Sequence, residues 1–260
     1  MWDPRQYLAY ADERSRPFFD LVSRIGAPPD AVASVVDLGC GPGQLTAQLT
    51  QLWPQAAIVG VDSSPAMITA AGPLASGGRL RFEQADPRHW NPDEAIDVIV
   101  SNATLQWIPE HRDLLGRFLS WLRPGGWLAF QVPGNFQAPS HRLLAELRLS
   151  PRWFDAVGVD AVDHLAVDDP AGYAELVGDL GCTVDAWETT YLHLLRGPDP
   201  VVEWVKGTAL RPVLAALTDL EAAAFLGEYA TALRAAYPAN SRGITSFPFR
   251  RIFVVAHLAA

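Results

Sequence analysis

Three glycines crowd into five residues directly after an apolar run, in Val35-Val36-Asp37-Leu38-Gly39-Cys40-Gly41-Pro42-Gly43. Glycine permits positive φ and lets a ligand approach the backbone without a Cβ in the way. The helical pattern that resumes at Gln44 leaves unbonded N–H groups at its start, which suit a carboxylate or a phosphate. Asp62 ends the next apolar run, Ile58-Val59-Gly60-Val61, about where an acidic side chain accepts hydrogen bonds from a ribose diol. Asp86 follows a third run and Ser101-Asn102-Ala103 a fourth. Each has a plainer reading: Asp62 as a helix cap, Asp86 as a turn former before Pro87, Asn102 as a turn former. A dinucleotide site would want G-x-G-x-x-G. Gly39 and Gly41 fit that pattern, but Gln44 occupies the third position, which disfavours a nicotinamide-dependent oxidoreductase.

These residues need elements to carry them. Val35–Leu38, Ile58–Val61, Leu80–Glu83, Ile96–Val100 and Trp127–Val132 read as buried strands, apolar on both faces. Helical patterns alternate with them at Gln44–Leu52, Pro65–Ala71 and Leu114–Leu122, with Ser63 or Ser64 capping the second. Such alternation predicts a parallel sheet covered on both sides, with its ligand site at the carboxyl ends of the strands. Arg5–Ile25 reads as helix broken near Pro17, so residues 1–30 are expected to form an N-terminal helical cover. Thr183–Leu194 and Arg251–His257 read as two late strands. Segments 134–170 and 198–245 then become a cap inserted late in a single domain spanning residues 1–260.

Bulk composition narrows the partners. The 260 residues are 49% hydrophobic and carry a net charge of −9, which argues against nucleic acid or an anionic membrane. No stretch reaches the roughly 18 apolar residues of a membrane span. The N-terminal residues show no apolar signal region, and Cys40 and Cys182 lack partner spacing, so a cytoplasmic location is expected. His89, His111, His141, His164 and His257 show no ligand spacing, so no metal is expected.

D-x-G-x-G-x-G after a strand resembles the cofactor loop of class I S-adenosylmethionine methyltransferases. The resemblance implies an α/β, Rossmann-like class I methyltransferase fold: a seven-stranded, mostly parallel sheet with helices on both faces and the helical cap. It implies S-adenosylmethionine as cofactor, S-adenosylhomocysteine as product, and a cofactor site of Asp37, Gly39, Cys40, Gly41, Gly43, Asp62, Ser63, Asp86, Asn102 and Ala103. Asp86 would meet the adenine amino group, and Asn102 with Ala103 would lie near the methionine end.

A closer likeness runs along nearly the whole chain. Tyr7-Leu8-Ala9-Tyr10-Ala11-Asp12-Glu13-Arg14, Asp62-Ser63-Ser64-Pro65-Ala66-Met67, Ser101-Asn102-Ala103-Thr104-Leu105-Gln106-Trp107, Thr189-Thr190-Tyr191-Leu192-His193, Gly207-Thr208-Ala209-Leu210-Arg211-Pro212 and Arg251-Ile252-Phe253-Val254 resemble the trans-aconitate 2-methyltransferase family. Asp86-Pro87 departs from that pattern. The resemblance implies methyl transfer to a carboxylate of a small polycarboxylic acid, trans-aconitate, giving its monomethyl ester. A carboxylate is ionised at neutral pH and needs no general base, so catalysis is expected to be positioning only, with no catalytic acid or base. Arginine is the expected clamp, because its planar fork binds carboxylates bidentately. The candidate substrate residues are Tyr10, Arg14, Gln106, Trp107, Tyr191, His193, Arg211 and Arg251; Arg14 suits the methionine carboxylate equally. Trp187, Tyr191 and Trp204 read first as core. Competing readings are methylation of another small acid or of a metabolite hydroxyl, or a scaffold keeping an inert cofactor fold. A monomer or weak homodimer is expected.

Overall fold

A computed structural model describes residues 11–157 and 167–260, and the side chains from residue 15 onward. Tyr10 and the side chain of Arg14 therefore lie outside the described residues.

Seven strands, β1 (Ser34–Leu38), β2 (Ala57–Asp62), β3 (Leu80–Gln84), β4 (Ile96–Asn102), β5 (Leu122–Pro133), β6 (Cys182–Arg196) and β7 (Ile244–Leu258), form one sheet in the order β3-β2-β1-β4-β5-β7-β6. The pairings β1–β2, β1–β4, β2–β3 and β4–β5 are parallel. The order reverses direction between β1 and β4. At such a switch point the crossovers leave in opposite directions, and a crevice opens beyond the strand ends. The sequence places the site residues there. Helix α1 (Ala11–Val22) precedes the sheet, and α2 (Gln44–Leu52) and α3 (Pro65–Ala71) follow β1 and β2, the latter two with the bounds the sequence predicts. Helix α4 spans His111–Ser120.

Several expectations are corrected. Helix α1 is not broken at Pro17, which lies inside it; Phe18 and Leu21, both fully buried, hold its face to the core. Proline forfeits one backbone bond, and burial of two large side chains outweighs that loss. Leu122, expected to end a helix, begins β5 and pairs with Ile96. Strand β7 starts at Ile244, seven residues before Arg251, in a stretch expected to be cap. Ser64 is the N-cap of α3, but its side chain makes no capping bond.

The chain divides into two compact units. One comprises Met1–Val132, Val167–Glu188 and Ile252–Ala260, the other Pro133–Ala166 and Thr189–Arg251. In the first, Val36, Leu38, Ile99, Phe118, Phe130, Tyr173 and Val254 share a continuous core with the helix faces that cover the sheet. The second is largely helical: α5 (Pro139–Arg148), α6 (Phe154–Val157), α8 (Pro200–Lys206), α9 (Leu210–Ala216) and α10 (Asp219–Ala236), while α7 (Pro170–Asp179) belongs to the first. There Tyr229 donates its hydroxyl to the Ser140 carbonyl at 2.7 Å, and Trp153 meets Phe225 edge to face at 5.3 Å. Thr218 and Glu221 start α10 with a reciprocal capping box.

Candidate functional site

The glycine turn is fixed by its neighbours. The N–H groups of Gly39 and Cys40 both donate to the Val61 carbonyl, at 2.7 and 3.0 Å, lashing the turn to β2. Gly39 has φ +79°, and a Cβ there would lie 2.0 Å from the Thr104 hydroxyl, so only glycine fits. Gly41 has φ +55°, and a Cβ built on it meets nothing within 4 Å. Its open side belongs to a cavity of about 300 Å3.

Gly39, Gly41, Asp62, Ser63, Asp86, Asn102 and Ala103, seven of the ten residues expected to hold the cofactor, line this cavity. Trp107, expected on the substrate side, lines it too. The remaining three cofactor candidates stand behind it. Asp37 is 3% exposed and accepts the Thr46 hydroxyl at 2.6 Å. Burial pushes its carboxyl up to about 7; the Thr46 bond opposes the rise and the charge of Asp62 adds to it. Cys40 is buried with its Cβ side toward Gly60, and burial raises its thiol far above the ordinary range. Gly43 packs against Phe82 and Ala71 as the αL residue before α2.

Asp62 organises the acidic side. One carboxylate oxygen accepts the Gly41 N–H at 2.9 Å and the other the Ser64 N–H at 2.8 Å. It thus satisfies the backbone N–H of Ser64, the N-cap residue of α3, and joins the β1 and β2 turns. Burial raises its pKa, and the two backbone bonds partly offset that rise. Two accepted bonds leave lone pairs on both oxygens for a diol. On β4, Ser101 donates to the Leu38 carbonyl at 2.8 Å, drawing the two loops together. Asn102 is 9% exposed, and its Oδ1 is buried without a hydrogen-bond partner. A lone buried acceptor is costly and suits a ligand donor.

The loop after β3 is built differently. Asp86 accepts the backbone N–H of Arg88 at 2.9 Å and both its Nε and Nη2, the closest at 2.6 Å. The Arg88 guanidinium holds the Asp86 carboxyl below its ordinary range. Arg88 also reaches Glu110 at 3.6 Å.

Gln106 is buried and is not among the described residues lining the cavity. Sequence reasoning missed Thr46, Thr104, Arg88, Met67 and Ile108. Thr46 lies nine residues after Asp37 in the first turn of α2, and Asp86-Pro87-Arg88 is an Asx-turn pattern, so those two carried a local signal.

Tyr191, His193, Arg211 and Arg251 fall in the second unit. His193 is 4% exposed, 4.4 Å from Trp204 between ring centroids and 6.0 Å from Phe249. Tyr191 stacks at 6.5 Å from His193, and Arg251 lies over Phe249 at 4.7 Å. Arg211 is half-buried at the start of α9. Trp204 and Tyr191 are core as expected, whereas Trp187 is only partly buried, stacked on Phe253 at 4.8 Å. A cavity of about 200 Å3 in this unit is lined by Asp199, Arg234 and Tyr237 among others and by none of the predicted residues. Among the described residues, no three His, Cys, Asp or Glu side chains cluster as metal ligands, and no helix is long and apolar enough to cross a membrane.

Comparison with known proteins bears on the fold and the family. Residues 10–186 match the family described as "Methyltransferase domain". The chain is 55% identical to a trans-aconitate 2-methyltransferase of Streptomyces avermitilis, over 100% of this chain and 97% of that protein. It is 54% identical to a trans-aconitate 2-methyltransferase of Mycolicibacterium gilvum, over 99% of each. In fold it is similar to a Haemonchus contortus phosphoethanolamine N-methyltransferase solved with S-adenosylhomocysteine, at TM-score 0.57 and 15% identity, covering 94% of this chain and 53% of that one. The chain belongs to the methyltransferase-domain family, and within it to the trans-aconitate 2-methyltransferases.

Proposed function

We propose that this protein transfers a methyl group from S-adenosylmethionine to a carboxylate oxygen of trans-aconitate, giving the monomethyl ester and S-adenosylhomocysteine. The observation that carries the donor assignment is the cavity at the tips of β1 to β4, with an open glycine, Gly41, and an orphaned acceptor, Asn102 Oδ1. The acceptor follows the near-complete likeness to relatives named for that activity.

The residues present fit the donor. The Gly39–Gly41 backbone leaves room for its amino acid end, Asn102 Oδ1 offers an acceptor for its ammonium, and Asp62 suits its ribose hydroxyls. Met67, 3% exposed and lining the cavity, offers apolar surface to a purine. When bound, S-adenosylmethionine supplies a sulfonium-activated methyl group. Its transfer to a carboxylate oxygen would cancel the sulfonium and carboxylate charges together and leave S-adenosylhomocysteine. The chain needs no proton transfer; it must align the carboxylate and exclude water, and alignment contributes up to about 7–11 kcal/mol in favourable cases. Tyr10, Arg14, Trp107, Tyr191, His193, Arg211 and Arg251 remain the candidates for holding the acid, with the arginines on the carboxylates that do not react. A clamp on the reacting oxygen would blunt it. No metal is proposed. The two free cysteines suit a reducing cytoplasm, and a monomer or weak homodimer is the proposed state.

A methyl-transfer assay over a panel of small di- and tricarboxylic acids tests this. Trans-aconitate is expected to give the highest kcat/KM, and Arg211→Ala to raise its KM about tenfold or more, the range of one charged hydrogen bond, with S-adenosylhomocysteine affinity unchanged. A hydroxyl acceptor in place of an acid would reject the reaction. Unchanged kinetics in Arg211→Ala would reject that residue's role.

A further inference from the structure

The loop after β4 holds a residue in a conformation that the donor assignment leaves unexplained. Ala103 has φ +56°. The left-handed region is disfavoured for any residue with a Cβ, and such strain persists only where the surroundings impose it. Both of its backbone groups are gripped. Its N–H donates to the Gln131 carbonyl on β5 at 2.9 Å, and its carbonyl accepts Nε2 of Gln106 at 2.7 Å. A carbonyl can only accept, so the –NH2 end of the Gln106 amide must face it.

Gln106 is 4% exposed, and its Oε1 is buried without a hydrogen-bond partner. A half-satisfied amide is a poor space filler, since an apolar side chain of similar size would leave no stranded acceptor. Its donated bond is therefore what the position gains. Gln106 does not line the cavity, yet the residue it grips does, flanked on the wall by Asn102 and Thr104. Thr104 is itself 3.3 Å from the Gly39 carbonyl and fills the space a Gly39 side chain would need. The conformation of Ala103 thus sets the direction in which Asn102 enters the cavity and the seat of the glycine turn.

We infer that Gln106 is a positioning residue for the donor site: its amide locks Ala103 in the left-handed conformation and so shapes the wall of Asn102, Ala103 and Thr104, without touching the ligand. This rests on reading the cavity as the S-adenosylmethionine site. It also moves Gln106 from the substrate set, where the sequence put it, to the support of the donor wall.

Titration calorimetry with S-adenosylhomocysteine tests it, on wild type, Gln106→Met and Gln106→Met/Ala103→Gly. Wild type is expected to bind. Gln106→Met is expected to bind about tenfold more weakly, the upper range for one neutral hydrogen bond. Adding Ala103→Gly is expected to return affinity to within about threefold of wild type, because glycine adopts positive φ without help. A merely structural role for Gln106 would not be rescued by a glycine three residues away. Unchanged affinity in Gln106→Met overturns the inference, as does a loss that Ala103→Gly fails to recover. Should Gln106→Met not fold, recovery of folding and binding in the double variant supports the inference, and failure of both overturns it. Wild type that binds no S-adenosylhomocysteine would instead remove the donor assignment itself.

Discussion

On one side of the cavity Gly39, Asp62 and Asn102 belong to turns bound to one another through backbone groups and buried side chains. On the other, Asp86 and Arg88 hold each other at a surface where water competes, with side chains 30% and 44% exposed. The first wall has almost no freedom. Val61 takes two N–H groups from the glycine turn, Asp62 bridges two loops, and Thr104 fills the space a side chain at Gly39 would need. The second wall presents surface ion pairs, Arg88 to Asp86 and to Glu110, on an Asx-turn whose Asp86 carbonyl accepts the His89 and Trp90 N–H groups. On the proposed reading of the cavity, the rigid geometry would align the reacting end of the donor, and the surface contact would only need to hold adenine.

The sharpest test of the rigid wall uses two neighbouring glycines. Gly39→Ala combines a φ of +79° with a Cβ 2.0 Å from Thr104, so it is expected to cost about 2–5 kcal/mol of stability by strain and overpacking. Gly41→Ala keeps a similar strain, at φ +55°, but its Cβ enters open space. Its stability loss is expected to be about 1 kcal/mol, while S-adenosylhomocysteine affinity falls about tenfold as the cradle fills. Urea denaturation and calorimetry separate the two. Equal stability losses, or unaltered affinity in Gly41→Ala, would erase the distinction between a fold glycine and a ligand glycine.

The same contrast explains what the sequence revealed. The legible parts of the rigid wall carry local signals, glycines that end a strand, Asp62 at the tip of β2, helices α2 and α3 with the predicted bounds, although the bonds that fix them join residues far apart in sequence. Period and punctuation encode these directly. The alternation in Ile244, Phe247 and Phe249, buried between exposed Ser246 and Pro248, also carries a strand signal, although the expected cap runs to residue 245 and the expected strand begins only at Arg251. Other features are set by distant neighbours. Pro17 survives inside α1 because Phe18 and Leu21 are buried. Gln106 reads as a residue bordering the methyl site until its amide is seen on Ala103. His193 is enclosed by Trp204 from α8 and Phe249 from β7, elements that only the fold brings to it.

A buried acid behind the rigid wall gives the next effect. Asp37 is held near 7 by burial, well above its ordinary 3.8. The folded chain keeps that carboxyl neutral, while the unfolded chain ionises it above about 4. Between about pH 4 and 7 the folded state therefore binds the extra proton, and its stability declines as pH rises through that window. Asp37→Asn cannot ionise, yet its carbonyl still accepts from Thr46. The variant's stability relative to wild type is thus expected to improve from pH 4 to pH 8, by on the order of 4 kcal/mol, in urea melts at each pH. A trend of opposite sign would mean that the charged form is the favoured one in the fold. Arg88, by contrast, holds Asp86 low, so that pair contributes stability lost only in acid.

The smallest effect belongs to the exposed wall. Arg88→Ala removes surface ion pairs to Asp86 and Glu110, a class of interaction worth about 0–1 kcal/mol. S-adenosylhomocysteine affinity is expected to change less than about fivefold, the equilibrium equivalent of that energy. The difference should shrink further in about 1 M salt, where the screening length falls to roughly 3 Å. The effect of Gly41→Ala, being steric, should persist in the same salt. If Arg88→Ala costs as much as the glycine change and resists salt equally, the loop after β3 is as fixed as the loops after β1 and β4. Asp86 would then depend on Arg88 as the glycine turn depends on Asp62.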